Sequence, residues 1–307
     1  MATIRLVLFD IPVLFEKALF KFNERTISAE EYGHLGPEKV YTSFKMENIF
    51  SPEQIVTGEV KSALSNAIAE KYVPNLVFEN IVNASVKYRI KNKKIDVDYI
   101  AELKPESDIY FKDAYLGLKK FSRKLYVHTF KEGDNLSITD YYYSFKESDE
   151  FKKIILGNGL FKKENGHFRL KTLTFKTNGY APFSAAGSVS KYVSGGYFNG
   201  DLRYDYIDNK VTGNFKVINA GFKDFYVKEA VVNAKQDTLY IDANGLYNNS
   251  EFNCDIDAVN NIGNKVVIKK MNLFLDKYIH ENKKQREMSK KHFKIPEAAK
   301  NLDVTID

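Results

Sequence analysis

Residues 210–218 read Lys-Val-Thr-Gly-Asn-Phe-Lys-Val-Ile, and the side chains change in kind at every step. Val211, Gly213, Phe215 and Val217 fall on one side of an extended chain. Lys210, Thr212, Asn214 and Lys216 fall on the other. The same alternation recurs downstream. Leu239, Ile241, Ala243 and Gly245 oppose Tyr240, Asp242 and Asn244. Phe252, Cys254, Ile256 and Ala258 oppose Asn253, Asp255 and Asp257. A side-chain period of two marks a strand with one apolar and one wet face. Residues 195–276 therefore predict a run of amphipathic strands, and the functional question is what covers their apolar side.

Working outward, the period of two extends back to about residue 75. Val82, Ala84, Val86, Tyr88 and Ile90 alternate with Asn83, Ser85, Lys87, Arg89 and Lys91. After a turn at Asn92-Lys93, Ile95, Val97, Tyr99, Ala101 and Leu103 alternate with Asp96, Asp98 and Glu102. Basic outer residues on one strand thus meet acidic ones on the next, which helps to fix register. Further strands are expected near 109–118, 125–130 and 136–145, with a short helical turn at 149–155. Asn165-Gly166 predicts a type I′ hairpin turn between 160–163 and 168–175. Residues 180–196, rich in Gly, Ser and Ala, read as a loop with a short helix near 188–193. This loop separates two strand-rich halves.

Upstream, residues 4–9 suit a strand, 13–22 suit either a short helix or an apolar strand, and Gly33, Gly36 and Pro37 mark a loop. A helix is predicted over 52–71. Ser51 stands as N-cap, Pro52 suits the first helical position and Gln54 completes a capping box. Ile55, Val56, Val60, Ala63, Leu64, Ala67 and Ile68 form its apolar stripe. Gly58 weakens that helix by about 1 kcal/mol relative to Ala, and Pro74 prevents its continuation.

The chain has 307 residues, enough for one large β domain or two smaller ones. With 20 Tyr, 23 Phe and no Trp, its aromatic load favours strands. A net charge of +6 is too weak to argue for nucleic acid. The single cysteine, Cys254, excludes an internal disulfide and reads as core filler. No stretch approaches the ~18 apolar residues of a membrane-spanning helix. Residues 2–9 carry Arg5 and precede Asp10 and Pro12, too interrupted for a signal peptide. At the other end, Leu302, Val304 and Ile306 alternate with Asp303, Thr305 and Asp307. The N-terminus therefore reads as that of a cytoplasmic protein or of a chain that lacks its true start, and the C-terminus as one cut short.

Catalytic signatures are absent. His34, His128, His167, His280 and His292 are scattered without metal-ligand spacing, and there is no nucleophile elbow, P-loop or dinucleotide fingerprint. Asp255 and Asp257 share a strand face, which suits an acid pair or a Ca²⁺ contact less well than an ordinary wet surface. Tyr141-Tyr142-Tyr143 suits base stacking, but alternation between core and surface explains it more simply. The segment 277–300 loses the alternation. Its run from Lys283 to Lys294 holds Lys284, Arg286, Lys290 and Lys291, which form either a solvated face or a contact for an anionic membrane surface.

Several short runs carry a resemblance. They are Gly200-Asp201-Leu202-Arg203-Tyr204, then Val211-Thr212-Gly213-Asn214-Phe215-Lys216-Val217, then Phe222-Lys223-Asp224-Phe225-Tyr226-Val227-Lys228. Leu239-Tyr240-Ile241-Asp242-Ala243-Asn244-Gly245 and Phe252-Asn253-Cys254-Asp255-Ile256-Asp257 follow. In this order they resemble the AsmA-like family and the wider repeating-β-groove, bridge-like lipid-transfer proteins. The resemblance implies a mainly β fold, a long antiparallel meander curled into an open groove over 75–276. The N-terminal region 1–74 with its helix precedes it, and a basic segment 277–307 follows. It implies no enzyme, no cofactor and no metal. It also implies an inner-membrane anchor and a periplasmic, cell-envelope location, although this chain shows no anchor.

The expected groove lining is Val86, Tyr88 and Val97, with Val211, Phe215, Val217, Leu239, Ile241, Phe252, Ile256, Met271 and Leu273. The expected partner is a phospholipid or other acyl lipid. Two further readings stand beside this one: a structural β scaffold with a closed protein core, and an enzyme acting on glycans across a β surface.

Overall fold

The computed structural model describes residues 3–6, 11–35, 37–66, 76–111, 114–115, 118, 120–185, 192–248, 250–261, 265–276, 292–294 and 303–305. The chain is mainly β, with 77% in strands and 2% helical, so the strand periodicity governs nearly everything described. It divides into two compact units, Met1–Leu170 and Lys171–Asp307.

In the first unit, β1 (Thr3–Leu6), β2 (Ile11–Phe22), β3 (Thr26–Leu35), β4 (Glu38–Glu47) and β5 (Ile55–Leu64) pair antiparallel in chain order. Then β5 pairs with β7 (Val82–Lys91), β7 with β8 (Lys94–Leu103), and β8 with β11 (Arg123–Glu132). The series ends with β12 (Asn135–Glu147) and β13 (Glu150–Glu164), again antiparallel. A separate three-stranded sheet holds β6 (Leu76–Glu79), β9 (Asp108–Phe111) and β10 (Ala114–Tyr115). Register bears out the charge matching: Lys87 lies opposite Asp98 and Arg89 opposite Asp96.

The second unit begins within β14 (His167–Thr177). β14 and the short β15 (Ala181–Pro182) both pair with β16 (Tyr197–Asp205). β17 (Lys210–Phe222), β18 (Phe225–Lys235), β19 (Thr238–Tyr247), β20 (Ser250–Val259) and β21 (Lys265–Asp276) follow as an antiparallel meander. β22 (His292–Lys294) and β23 (Asp303–Thr305) pair with β21.

The turns follow their residues. Asn92 and Lys93 have φ of 51° and 63°, and Asn165 and Gly166 have 50° and 84°. Type I′ turns require positive φ at both central positions, which suits Asn and Gly. Asn209, Asn219 and Asn248 take the same left-handed conformation.

Three expectations are corrected. The predicted helix 52–71 is strand β5 over Ile55–Leu64, while 67–75 lie outside the described residues. Ser51 does cap, but it caps a turn: its Oγ accepts from the Glu53 amide at 3.1 Å, and the Gln54 amide donates to the Ser51 carbonyl at 3.2 Å. Ile55, Val56, Thr57 and Val60 are β-branched and prefer the pleat. Gly58 is opposite Tyr88, and an added Cβ there would stand 2.3 Å from Tyr88 Oη and 2.6 Å from the Ser43 carbonyl oxygen. The glycine that looked like a helix defect is the space that the ring fills.

Of residues 149–155, expected as a helical turn, Asp149 belongs to the hairpin turn Ser148-Asp149 and 150–155 open β13 instead. Gly33, expected in a loop, lies inside β3 opposite Val40. The two readings left open for 13–22 resolve as β2. The meander therefore already occupies most of 11–64, upstream of where the alternation is easy to read. The helix expected near 188–193 falls largely outside the described residues. Residues 183–185 form one 3₁₀ turn.

Candidate functional site

Strand register decides which side chains share a face. In the second unit, Gly200, Phe215, Val232, Ile241, Ile256 and Met271 form one continuous cross-strand row. The next row runs Phe198, Val217, Ala230, Ala243, Cys254 and Leu273. On the other side of the first row lie Leu202, Gly213, Ala234, Leu239, Ala258 and Ile268. Phe252 faces the same way, opposite Gly245 and Leu275. Nine of the expected lining residues lie here: Val211, Phe215, Val217, Leu239, Ile241, Phe252, Ile256, Met271 and Leu273.

Burial along this face is uneven. Val217, Phe252 and Cys254 toward one end, and Ala234 and Ala258 toward the other, are buried. Phe215, Val232, Ile241, Ile256 and Met271 between them are only half-buried. The ends are closed by particular groups. At one, Phe183 and Ala185 of the 3₁₀ turn are buried, and Phe183 contacts Phe198 (ring centroids 5.2 Å) and Phe222 (6.3 Å). Phe198 also stacks on Phe215 at 5.7 Å and on Phe175 at 6.1 Å. At the other, Asn260 is 1% exposed. Its Nδ2 donates to the carbonyls of Val211 (2.6 Å) and Gln236 (2.9 Å), and its Oδ1 accepts from the Val211 amide at 3.1 Å. One side chain thus satisfies the backbone of two strand ends.

Two glycines keep this face smooth. A Cβ on Gly200 would stand 2.7 Å from the Phe215 ring, and one on Gly245 2.9 Å from the Phe252 ring and 2.0 Å from the Tyr226 carbonyl oxygen. With Gly58 and Tyr88, that makes three cross-strand pairs in which an aromatic ring covers a glycine.

The first unit gathers the other three expected residues, Val86, Tyr88 and Val97, on one face of β7 and β8. Val60 is opposite Val86, and Phe44 is opposite Gly58, so the same face extends across β4 and β5. Burial pushes the Tyr88 hydroxyl above its ordinary range, and the charge of Glu31 adds to the shift. Glu31 is itself buried on this face and accepts a hydrogen bond from Thr42 Oγ1 at 2.7 Å. At one end, Phe78 of the small sheet packs with Val82 and Leu103, and Leu64 and Ile109 complete the cluster. Arg123 and Asp108 are fully buried beside it and form an ion pair at 3.6 Å. The guanidinium also donates to the carbonyls of Lys104 (3.1 Å) and Ser107.

The opposite face of each unit is polar. In the first, His128 Nδ1 meets Asp98 at 2.7 Å and His128 Nε2 meets Asp96 at 3.1 Å, and Tyr126 donates to Asp98 at 2.6 Å. Burial alone would raise the Asp98 carboxyl. The hydrogen bonds from Tyr126 and His128, with the charges of His128 and Lys87, hold it below the usual carboxylate range. In the second, Lys216 pairs with Glu229 at 2.5 Å and Lys228 with Glu251 at 3.0 Å. Asp255 lies opposite Asp242, and Asp257 opposite Tyr240, on this wet face. No group of His, Cys, Asp and Glu suited to a metal occurs among the described residues. Tyr141 and Tyr143 face the apolar side, and Tyr142 stacks on Tyr126 across the polar one (4.7 Å), as alternation requires.

Sequence reading missed Phe183, Phe198, Asn260, Arg123 and Glu31. Phe198 follows the period of two through 197–205 and was available by extending the pattern. Asn260 and Arg123 carry no local signal, since Asn260 binds a strand 49 residues away. Of the basic run expected to meet a membrane, only 292–294 is described, as β22. No helix among the described residues is long and apolar enough to cross a membrane. No family model, no curated protein and no solved structure matches this chain.

Proposed function

We infer that the apolar face is a lipid-binding surface and that the chain acts without catalysis, sheltering acyl tails while head groups stay in water. The observation that carries this is the burial profile of the second unit. In a packed core the middle of the apolar face is its driest part. Here Phe215, Val232, Ile241, Ile256 and Met271 of the middle row are all half-exposed, while Phe198, Val217 and Cys254 on one side of it and Ala234 and Ala258 on the other are buried. Large apolar area left to water on one face is the mark of a binding site. Each acyl CH₂ placed there contributes about 0.8 kcal/mol. The same reading makes the sheet an open groove, the chain an AsmA-like lipid-transfer segment, and the cell envelope its location. The basic run from Lys283 to Lys294 would draw in anionic head groups.

The test is mass spectrometry of lipid extracted from protein purified without detergent, alongside an Ile256→Asp variant. The expected result is co-purified phospholipid or fatty acid in the wild type, with loss of lipid but a retained circular dichroism spectrum in the variant. If Ile256→Asp unfolds the protein, and the wild type carries no lipid, the face is a packed core. An unpaired charge buried there would cost several kcal/mol, and the chain would be a structural scaffold.

A further inference from the structure

The polar face of the first unit carries an order that neither the meander nor the lipid reading needs. Tyr32 is opposite Tyr41, Tyr41 opposite Lys61, Lys61 opposite Ser85, Ser85 opposite Ile100, and Ile100 opposite Tyr126. These six residues form one straight row across β3, β4, β5, β7, β8 and β11. Tyr142 on β12 continues it. The row carries two tyrosine pairs, Tyr32 with Tyr41 at 5.0 Å and Tyr126 with Tyr142 at 4.7 Å between ring centroids, and runs on to Lys17 on β2 and Leu156 on β13. Four strand spacings separate Tyr41 from Tyr126, about 19 Å.

Between the pairs the surface dips. A depression of about 560 Å³ is lined by Tyr32, Tyr41, Lys61, Ser85, Ile100 and Glu102, a volume within the range of ordinary small-molecule sites. Its lining joins apolar surface, from the tyrosine rings and Ile100, to hydrogen-bonding side chains. Two of its charged side chains are matched, Lys61 with Glu59 at 2.7 Å and Glu102 with Lys124 at 2.8 Å, and Lys39 also lines it. The Lys61 ammonium also lies 5.7 Å from the Tyr41 ring centre, and that of Lys153 4.0 Å from the Tyr142 ring.

We propose that this row is a binding platform for a neutral oligosaccharide lying across the strands. A pyranose ring offers two kinds of surface, a flat face of weakly positive C–H bonds and a rim of hydroxyls. The C–H face packs on the negative face of a tyrosine ring, and Tyr32, 44% exposed, is open to it. The hydroxyls find both donors and acceptors in Ser85, Asn83, Lys61 and Glu102. Charge matching argues against the other classes. Single-stranded nucleic acid also stacks on aromatic rings but needs a positive groove for its backbone, and Lys61 and Lys124 here are paired with carboxylates. An acyl tail would gain little from a strip broken by Lys61 and Ser85. The separation of the two aromatic pairs, about 19 Å, suits a chain of several sugars rather than one.

The experiment is isothermal titration calorimetry of the full chain with maltohexaose, cellohexaose, xylohexaose and chitohexaose, with oligogalacturonate, decaproline and oligo-dT as competing classes. The expected result is binding of at least one neutral hexasaccharide. Tyr32→Ala and Tyr41→Ala should each weaken it about tenfold. Tyr240→Ala, the same change at an exposed tyrosine on the polar face of the second unit, should leave it unchanged. Circular dichroism shows that each variant is folded, and if Tyr41→Ala is not, Tyr32→Ala at its more exposed position carries the test. No heat from any neutral saccharide at about 10 mM would overturn the proposal, since millimolar Kd is the weak limit of specific binding. Affinity untouched by both tyrosine changes would overturn it too, as would preference for the anionic sugar, the peptide or the DNA.

Discussion

Replacing Gly58 with alanine separates two readings of residues 55–64 by the sign of the effect. In an exposed helix, Gly→Ala stabilises by about 1 kcal/mol. In strand β5 the new methyl would stand 2.3 Å from Tyr88 Oη, 2.4 Å from Tyr88 Cζ and 2.6 Å from the Ser43 carbonyl oxygen. The tyrosine ring can swing away, at the loss of its contact across the glycine. The Ser43 oxygen is backbone and belongs to the paired strand β4, so the sheet itself must shift. Overpacking of this kind typically costs about 1–3 kcal/mol. For a unit of this size each kcal/mol lowers the melting temperature by roughly 2–4 °C. Thermal denaturation followed by circular dichroism should therefore show Gly58→Ala melting roughly 3–10 °C below wild type. Tyr88→Ala should cost less in the Gly58→Ala background than alone, because the two residues share one space. A melting temperature that holds or rises in Gly58→Ala would refute the strand assignment and the ring-over-glycine pairing together.

Three further outcomes follow from buried or matched polar groups. Arg123→Ala should destabilise by about 3–5 kcal/mol in urea unfolding, because it strands the buried Asp108 carboxylate, and Asp108→Ala should recover part of that loss. The Asp98 carboxyl is held low in the folded protein, so the stability it contributes is intact above its unfolded value near pH 4 and is lost as pH falls through the lower native value. Asp98→Asn should flatten that acid limb of a stability–pH curve. Burial, aided by the charges of Asp255 and Asp242, raises the Cys254 thiol above its ordinary range. Ellman's reagent should label it slowly in the native protein and quickly in urea, and native labelling as fast as unfolded labelling would contradict its place in the buried row.

How far the chain could be read depended on whether the signal was local. The strands from 82 to 103 and from 210 to 259 were legible because a half-buried pleat imposes a two-residue rhythm that each side chain obeys independently. Asn92-Lys93 and Asn165-Gly166 were legible because left-handed φ selects residue types. Residues 55–64 misled because Ile55, Val56, Val60, Ala63 and Leu64 satisfy a helical stripe as well as a pleat. What decided between them was Tyr88, thirty positions on, which no local window contains. The tyrosine row was invisible for the same reason. Tyr32, Tyr41 and Tyr126 fall into one row only once every register between β3 and β11 is fixed. The nine lining residues of the second unit were nameable from alternation, but their uneven burial was not, because it depends on Phe183 and Asn260 folding over the ends.

The pairing of each long strand with the strands next to it in the chain has a consequence for how such a sheet can change. Within each unit the main series grows by hairpins, apart from the excursion that holds β6, β9 and β10. Closing a hairpin fixes few residues, so contacts form over short stretches of chain and order can spread from any nucleus to its neighbour, as in a linear array of repeats. Adding or deleting a whole hairpin between two such neighbours preserves which side of the next strand faces the apolar surface. Adding a single residue within a strand inverts every side chain beyond it unless a bulge absorbs the step. The register shifts in β12, β18 and β21 show that this chain uses such absorbing steps. The width of the sheet is therefore free to drift in units of two strands, while the parity of each strand is not.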